Sequence, residues 1–287
     1  MKLHLATPAD FSFIECVNAH GWKSLLPFFW DADTCVLSRV EDFGADGVAL
    51  MHVMMNDGMV LIETDAAVNE SDLTCRVQRM LQLDVSVADF HRYCEKTARL
   101  EHIPTLKQGR LLRSPSLFED VVKVIATTNT TWAQTKLMVS RIVFSFGLQL
   151  PSDPLRRSFP TPQRIADVSV DEFAEKARMG YRNSSVHRIA SAIANGELDL
   201  ESWIDEGISS ADLCKRLLSL PGIGPYAASC LMIYMGRYDR VNVDSWARTL
   251  VGKEFGRKVT DKEVHQFFES HGEWKALVYH FYQWADP

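Results

Sequence analysis

The chain has 287 residues, enough for two or three packed layers and for more than one domain. Hydrophobic residues make up 46% and charged residues 24%, a balance that excludes a disordered or low-complexity chain. The net charge of −6 argues against a polyanionic partner for the surface as a whole, but the charge is uneven: −7 over residues 1–100, +4 over 101–258 and −3 over 259–287. Association follows the local field, so a basic middle suits phosphate contacts on one face; a mixed, solvated surface accounts for the same asymmetry. No run approaches the roughly 18 apolar residues of a membrane span, and Pro8 and Asp10 interrupt the opening before a secretion signal can form. No membrane partner, an intracellular location and a monomer are therefore expected. None of the six cysteines stands in a CxxC pair, so no cofactor held by side chains is expected and the thiols read as buried and free.

The first hundred residues read as α+β. The segment 11–27 is aromatic-rich and suits the sheet or a short helix, and 33–43 predicts a strand. Two apolar runs, VALMHVMM and MVLIET, flank Asn56-Asp57-Gly58 and predict a hairpin. From Ser71 the spacing turns helical, with Leu73, Val77, Met80 and Leu81 on one face, and 84–100 predicts a second helix. Beyond Pro104 the chain reads as helices at 116–128, 131–146, 171–179, 184–195, 210–218, 226–235, 245–255, 261–271 and 274–284. The proline-rich stretch 151–162 predicts a loop. An N-terminal domain over 1–103 and a helical domain over 104–287 are expected, with 71–103 able to join the helical part.

The chemistry concentrates in Leu218–Leu250, LSLPGIGPYAASCLMIYMGRYDRVNVDSWARTL. A helix ends near Leu220, Pro221-Gly222-Ile223-Gly224 turns the chain, and Pro225 opens the next helix with a preset φ and no amide to leave unpaired. Amides at such a helix start form an anion site that a DNA phosphate fits; the same glycines also serve a plain helical hairpin. Asp244 heads a further helix behind Val241 and Val243, where an aspartate commonly serves as an N-cap.

Together, LPGIG and the following aspartate resemble the helix-hairpin-helix/Gly-Pro-Asp superfamily of DNA glycosylases, closest to its 3-methyladenine and 8-oxoguanine branches. Residues 110–143 and 159–193 resemble the segments preceding the hairpin in those branches, and residues 1–100 resemble their TATA-binding-protein-like antiparallel sheet. The resemblance implies a mostly helical α+β fold and base excision from duplex DNA bearing a damaged base. It assigns Asp244 to catalysis and Gly222, Ile223, Gly224, Pro225 and Tyr226 to DNA contact. Tyr226, Trp274, Tyr282 and Trp284 are assigned to the base pocket, with Tyr279 and Phe281 in the same aromatic cluster. Asn129 corresponds to a residue that fills the hole in the duplex, or caps the helix at Thr131; Arg182 corresponds to an arginine directed at the opposite base. Gln134 replaces another such arginine. Family hairpins also carry a structural Na+ or K+ on backbone carbonyls, here those of Leu218, Leu220 and Ile223.

Some family members carry a Schiff-base lysine where this chain has Tyr226, and tyrosine cannot form an imine. A monofunctional hydrolase is expected. An aromatic pocket favours a cationic, alkylated ring such as 3-methyladenine. An oxidised guanine or a mismatched pyrimidine is the alternative lesion, and a non-catalytic DNA-damage-binding protein the alternative class.

Overall fold

The computed structural model describes residues 1–204 and 207–283. Seven strands are present among them: β1 Lys2–Leu5, β2 Phe28–Asp31, β3 Val36–Asp42, β4 Val48–Asn56, β5 Met59–Thr64, β6 Gln149–Leu150 and β7 Asp153–Arg157. The helices are α1 Phe13–Asn18, α2 Glu70–Leu81, α3 Ala88–Cys94, α4 His102–Thr105, α5 Leu117–Thr127, α6 Trp132–Phe146 and α7 Pro162–Ala166. They continue with α8 Val170–Ala177, α9 Arg182–Ala194, α10 Ser210–Ser219, α11 Pro225–Tyr234, α12 Ser245–Phe255, α13 Asp261–Glu269 and α14 Lys275–Phe281. The chain is thus α+β: a five-stranded antiparallel sheet, ordered β1-β5-β4-β3-β2, followed by helices.

The hairpin at Asn56-Asp57-Gly58 is β4–β5, with Asn56 opposite Met59. Asp57 (φ 48°) and Gly58 (φ 79°) both take left-handed angles, matching the twist of the flanking strands. Three expectations are corrected. The strand expected over 33–43 starts at Val36, because 32–35 is the turn of a second hairpin whose other strand, β2, was unforeseen. The helix expected over 84–100 shortens to α3. The proline-rich loop holds the β6–β7 ladder, where Pro154, lacking an amide, sits in a two-stranded edge. Two cysteines are exposed, contrary to expectation: Cys35 lies in the β2–β3 turn, and Cys75 on the side of α2 away from Leu73 and Val77.

Period-two alternation puts Leu37, Arg39 and Glu41 of β3 on the same face as Val53, Met51 and Ala49 of β4. That face carries two ionic side chains into the interior. Arg39 (1% exposed) pairs with Glu41 at 2.6 Å and with Glu119 of α5 at 2.9 Å, and Lys123 (0% exposed) reaches Glu119 at 2.7 Å. Burial alone would raise the Glu119 pKa, but Arg39 and Lys123 outweigh it and hold the carboxyl down at about 2.

The apolar core does not divide at residue 103. One cluster runs from the sheet through α2, α5 and α6 to Met235. A second joins α3 and α4 to α12–α14, through Phe90, Cys94, Ile103, Leu250, Phe268 and Leu277. No described helix is long and apolar enough to cross a membrane.

Candidate active site

The α10–α11 hairpin is built as its glycines require. Gly222 has φ +80°, and a Cβ there would lie 2.7 Å from the Ser185 side chain, so only glycine fits both the angle and the approach to α9. The Ile223 amide closes the turn on the Leu220 carbonyl at 3.2 Å. Gly224 is the N-cap of α11 and has no side chain to cap with, while Pro225 fills the first helical position. The amides of that first turn have no partner within the helix. Of the three carbonyls that the resemblance gives to a cation, that of Leu220 thus already accepts an amide. Among the described residues, no cluster of His, Cys, Asp or Glu could hold a metal ion.

Gly222, Gly224, Pro225 and Tyr226 line one wall of an open groove of about 600 Å³; Thr128–Thr130 and Tyr181 line the other. Asn129 stands exposed at the tip of the α5–α6 turn with φ 46°. It does not cap α6: Thr131 does, accepting the Gln134 amide at 3.3 Å. Its Nδ2 instead donates to the Tyr181 hydroxyl at 3.3 Å. Gln134 is exposed on the first turn of α6.

The expectation for Arg182 is corrected. Its side chain is not presented to a duplex: the residue is 7% exposed and clamps the turn, donating to the Thr128 carbonyl, to Thr128 Oγ1 at 3.2 Å and to the Met179 carbonyl at 3.2 Å. Tyr181, stacked under the guanidinium at 4.5 Å, is the exposed neighbour that lines the groove.

Behind the groove lies a cavity of about 680 Å³. Tyr226 and Asp244 line both spaces and so form the partition between them. Asp244 Oδ1 accepts the Ala247 amide at 2.7 Å, which makes the residue the N-cap of α12, and the Tyr279 hydroxyl at 3.4 Å. These bonds fix the carboxylate while engaging only one of its oxygens.

The cavity wall is aromatic: Trp22, Trp132, Tyr226, Tyr234, Trp246 and Tyr279 all face it. Trp132 lies against Gly21, where a Cβ would come within 2.5 Å of its indole. Burial, reinforced by Cys230 and Asp244, drives the Tyr226 pKa upward, and burial pushes the Cys230 thiol up to about 12. Two histidines also line the space. Burial, with His280 nearby, lowers the His20 pKa to about 3, and burial lowers His280 to about 4, so both rings are neutral at pH 7. Asp244 is thus the one acidic side chain lining the cavity, where no lysine or arginine lines it among the described residues, and Arg248 stands on its groove side, paired with Asp261.

Two pocket assignments are corrected. Trp274 packs between Phe90 (5.4 Å) and Tyr238 (6.4 Å), and Tyr282 packs on Phe267 (5.8 Å), where its hydroxyl accepts from Arg99 at 2.9 Å. Neither lines the cavity. Helical spacing explains this: Trp274, Val278 and Tyr282 recur every four residues and turn one face into the second core, leaving Tyr279 and His280 toward the cavity. Phe281 is buried in that core, and Trp284 falls outside the described residues. Sequence reasoning missed His20, Trp22, Trp132, Tyr234, Asn242 and Trp246. Only Asn242 carried a local signal, its two-residue spacing from Asp244.

No family model matches the chain. A probable N-glycosylase/DNA lyase of Methanothermobacter thermautotrophicus is 21% identical over 231 residues, covering 73% of each chain. The apo 8-oxoguanine glycosylase/lyase of Clostridium acetobutylicum superposes with a TM-score of 0.75 at 17% identity, over 98% of this chain and 96% of the other. The 3-methyladenine DNA glycosylase of Archaeoglobus fulgidus gives 0.74 at 16% identity, over 98% and 97%. At these identities the shared property is architecture, and it extends from the first strand of the sheet to the last described helix: the chain has the fold of the helix-hairpin-helix DNA glycosylases.

Proposed function

We propose that this protein is a monofunctional DNA glycosylase of base excision repair, which takes a damaged base from duplex DNA and hydrolyses its N-glycosidic bond. The observation that carries the reading is the place of Asp244: a fixed carboxylate on the partition between a groove edged by hairpin amides and an aromatic cavity with room for a nucleobase. Phosphates docked on the hairpin would set the deoxyribose at the partition and the extruded base behind it. Asn129, on the turn that Arg182 clamps, would occupy the vacated place in the duplex.

Breaking C1′–N sends the bonding electron pair out with the base and leaves positive charge on the sugar. A carboxylate beside C1′ stabilises that charge. Water then attacks C1′ and gives up a proton toward the free carboxylate oxygen. Tyr226 stands where an imine-forming lysine would be needed, and no lysine lines the cavity or the groove among the described residues. Water is therefore the nucleophile.

An alkylated purine of the 3-methyladenine type is the base this cavity suits best. Its aromatic faces and single carboxylate attract a cationic ring, and the two histidines, held neutral, do not oppose it. Such a ring already leaves as a neutral base, so little acid catalysis is required.

In the test, Asp244→Asn lowers single-turnover base release by roughly a hundredfold to a thousandfold. Its affinity for a duplex carrying an abasic-site analogue stays unchanged. Normal turnover by this variant, or a covalent adduct trapped by borohydride with the wild-type protein, would overturn the mechanism.

A further inference from the structure

Asn242 is buried (7% exposed), lines the cavity, and has a carboxamide Oδ1 with no hydrogen-bond partner among the described residues. Three other polar side chains of the cavity wall are engaged within the protein. His20 Nε2 meets the Leu112 carbonyl at 2.6 Å and its Nδ1 accepts the Trp22 amide at 3.4 Å; Trp22 Nε1 donates to Asp120 at 2.9 Å. Thr135 Oγ1 donates to the Ala126 carbonyl at 3.0 Å. A buried amide oxygen left unmatched is unfavourable and uncommon in a folded protein, so it calls for a partner that arrives from outside.

Its position says which part of a nucleotide that partner is. Val241 and Val243 line a neighbouring cleft, Val243 bordering the groove as well, whereas Asn242 and Asp244 both line the cavity. Of these two, only Asp244 also borders the groove. In extended chain a two-residue step spans about 7 Å, comparable to the reach from a sugar to its base. With the deoxyribose at Asp244, Asn242 faces the base.

We propose that Asn242 is the specificity residue of this site, reading an adjacent donor and acceptor on the extruded base. This rests on the alkylated-base reading above and narrows it. A carboxamide pairs in two-pronged fashion with the N6–H and N7 of adenine. Methylation at N3 leaves that edge intact. In 7-methylguanine the alkyl group blocks N7 and the neighbouring O6 offers no hydrogen, so the pair cannot form.

DNA treated with a methylating agent carries both lesions in one sample, and released bases are separated by chromatography. Wild-type protein releases 3-methyladenine ahead of 7-methylguanine, and the near-isosteric Asn242→Leu lowers that ratio by roughly tenfold or more, through loss of 3-methyladenine release alone. Inhibition of the wild-type protein by free adenine and by 7-deazaadenine tests the same contact without a variant, so a folding defect in Asn242→Leu cannot mask the result. The analogue without N7 is expected to inhibit roughly tenfold less well. An unchanged ratio in a folded Asn242→Leu protein, or equal inhibition by the two free bases, overturns the role of Asn242 and leaves the glycosylase reading standing. Release of neither base by the wild-type protein overturns both.

Discussion

Along α5 the polar chemistry changes character within two turns. Glu119 and Lys123, in its first two turns, belong to the ionic cluster with Arg39 and Glu41, where every charge is buried and answered by an opposite one. Val124 and Thr127, in its second half, wall the cavity where the Asn242 carbonyl oxygen is unanswered and Asp244 keeps an oxygen open. Both regions are interior and polar, so burial alone does not separate structure from function. Between these two regions the difference is pairing: the sheet–helix cluster is fully paired within the protein, and the Asn242 oxygen in the cavity wall is not.

The largest effect expected from this contrast is on stability. Glu119→Ala strands Lys123 as an unpaired buried cation and leaves Arg39 with Glu41 alone, a loss of about 3–5 kcal/mol. The midpoint of thermal unfolding should fall on the order of 10 °C, with base release per folded molecule unchanged. A companion in which Arg39, Glu119 and Lys123 all become methionine, leaving Glu41 to Arg76, sharpens the point, since replacing buried ionic partners together by apolar groups is near neutral. If the triple variant is as unstable as Glu119→Ala, the cluster contributes more than internal charge balance.

A smaller effect is expected from pH. His20 and His280 carry pKa values near 3 and 4, below the ordinary 6.5, because the fold buries them neutral. As pH falls through 6.5 the unfolded chain takes up protons first, so this part of the stability is intact above 6.5 and is lost progressively down to about 4 and 3. Between pH 7 and pH 5 the His20 share is about 2 kcal/mol. Denaturant titrations of wild type and His20→Asn at the two pH values read it directly: the variant should lose less stability on acidification. Parallel losses would mean that His20 does not carry the effect.

The same contrast explains what was legible in the sequence. The α5, α6, α10, α11 and α12 segments were readable because their signals are local: Ser116, Thr131, Ser209 and Asp244 cap the starts, and Pro221–Pro225 turns the chain. The β2 strand and the β6–β7 ladder were not, because short strands between turns become strands only through tertiary pairing. For the site, Asp244 and the hairpin sit in one continuous stretch and could be read together. His20 and Trp22 reach the cavity from the far side of the chain, and nothing local marks them. Arg182 misled because a guanidinium looks alike whether it faces a phosphate or two backbone carbonyls. Trp274 misled because an aromatic helix offers several faces and composition does not say which one the core takes.

Gly222 joins the two ends of the comparison, since it is a structural residue whose neighbours are the proposed phosphate site. Its φ of +80° and the 2.7 Å approach to Ser185 give Gly222→Ala two separable penalties. A side chain in the left-handed region costs roughly 1–2 kcal/mol whatever the space around it. The collision with α9 is relieved by Ser185→Gly. The single variant should lose more stability than that, since both penalties act, and bind duplex DNA roughly tenfold more weakly, because the turn must shift the amides that meet phosphate. In the double variant with Ser185→Gly, the steric part returns and the conformational part stays. Binding that follows stability in this series would mean that the glycine only shapes the hairpin. Weak binding that persists in the double variant, with its salt dependence reduced, would tie the amides of Gly224 and Tyr226 to a phosphate contact.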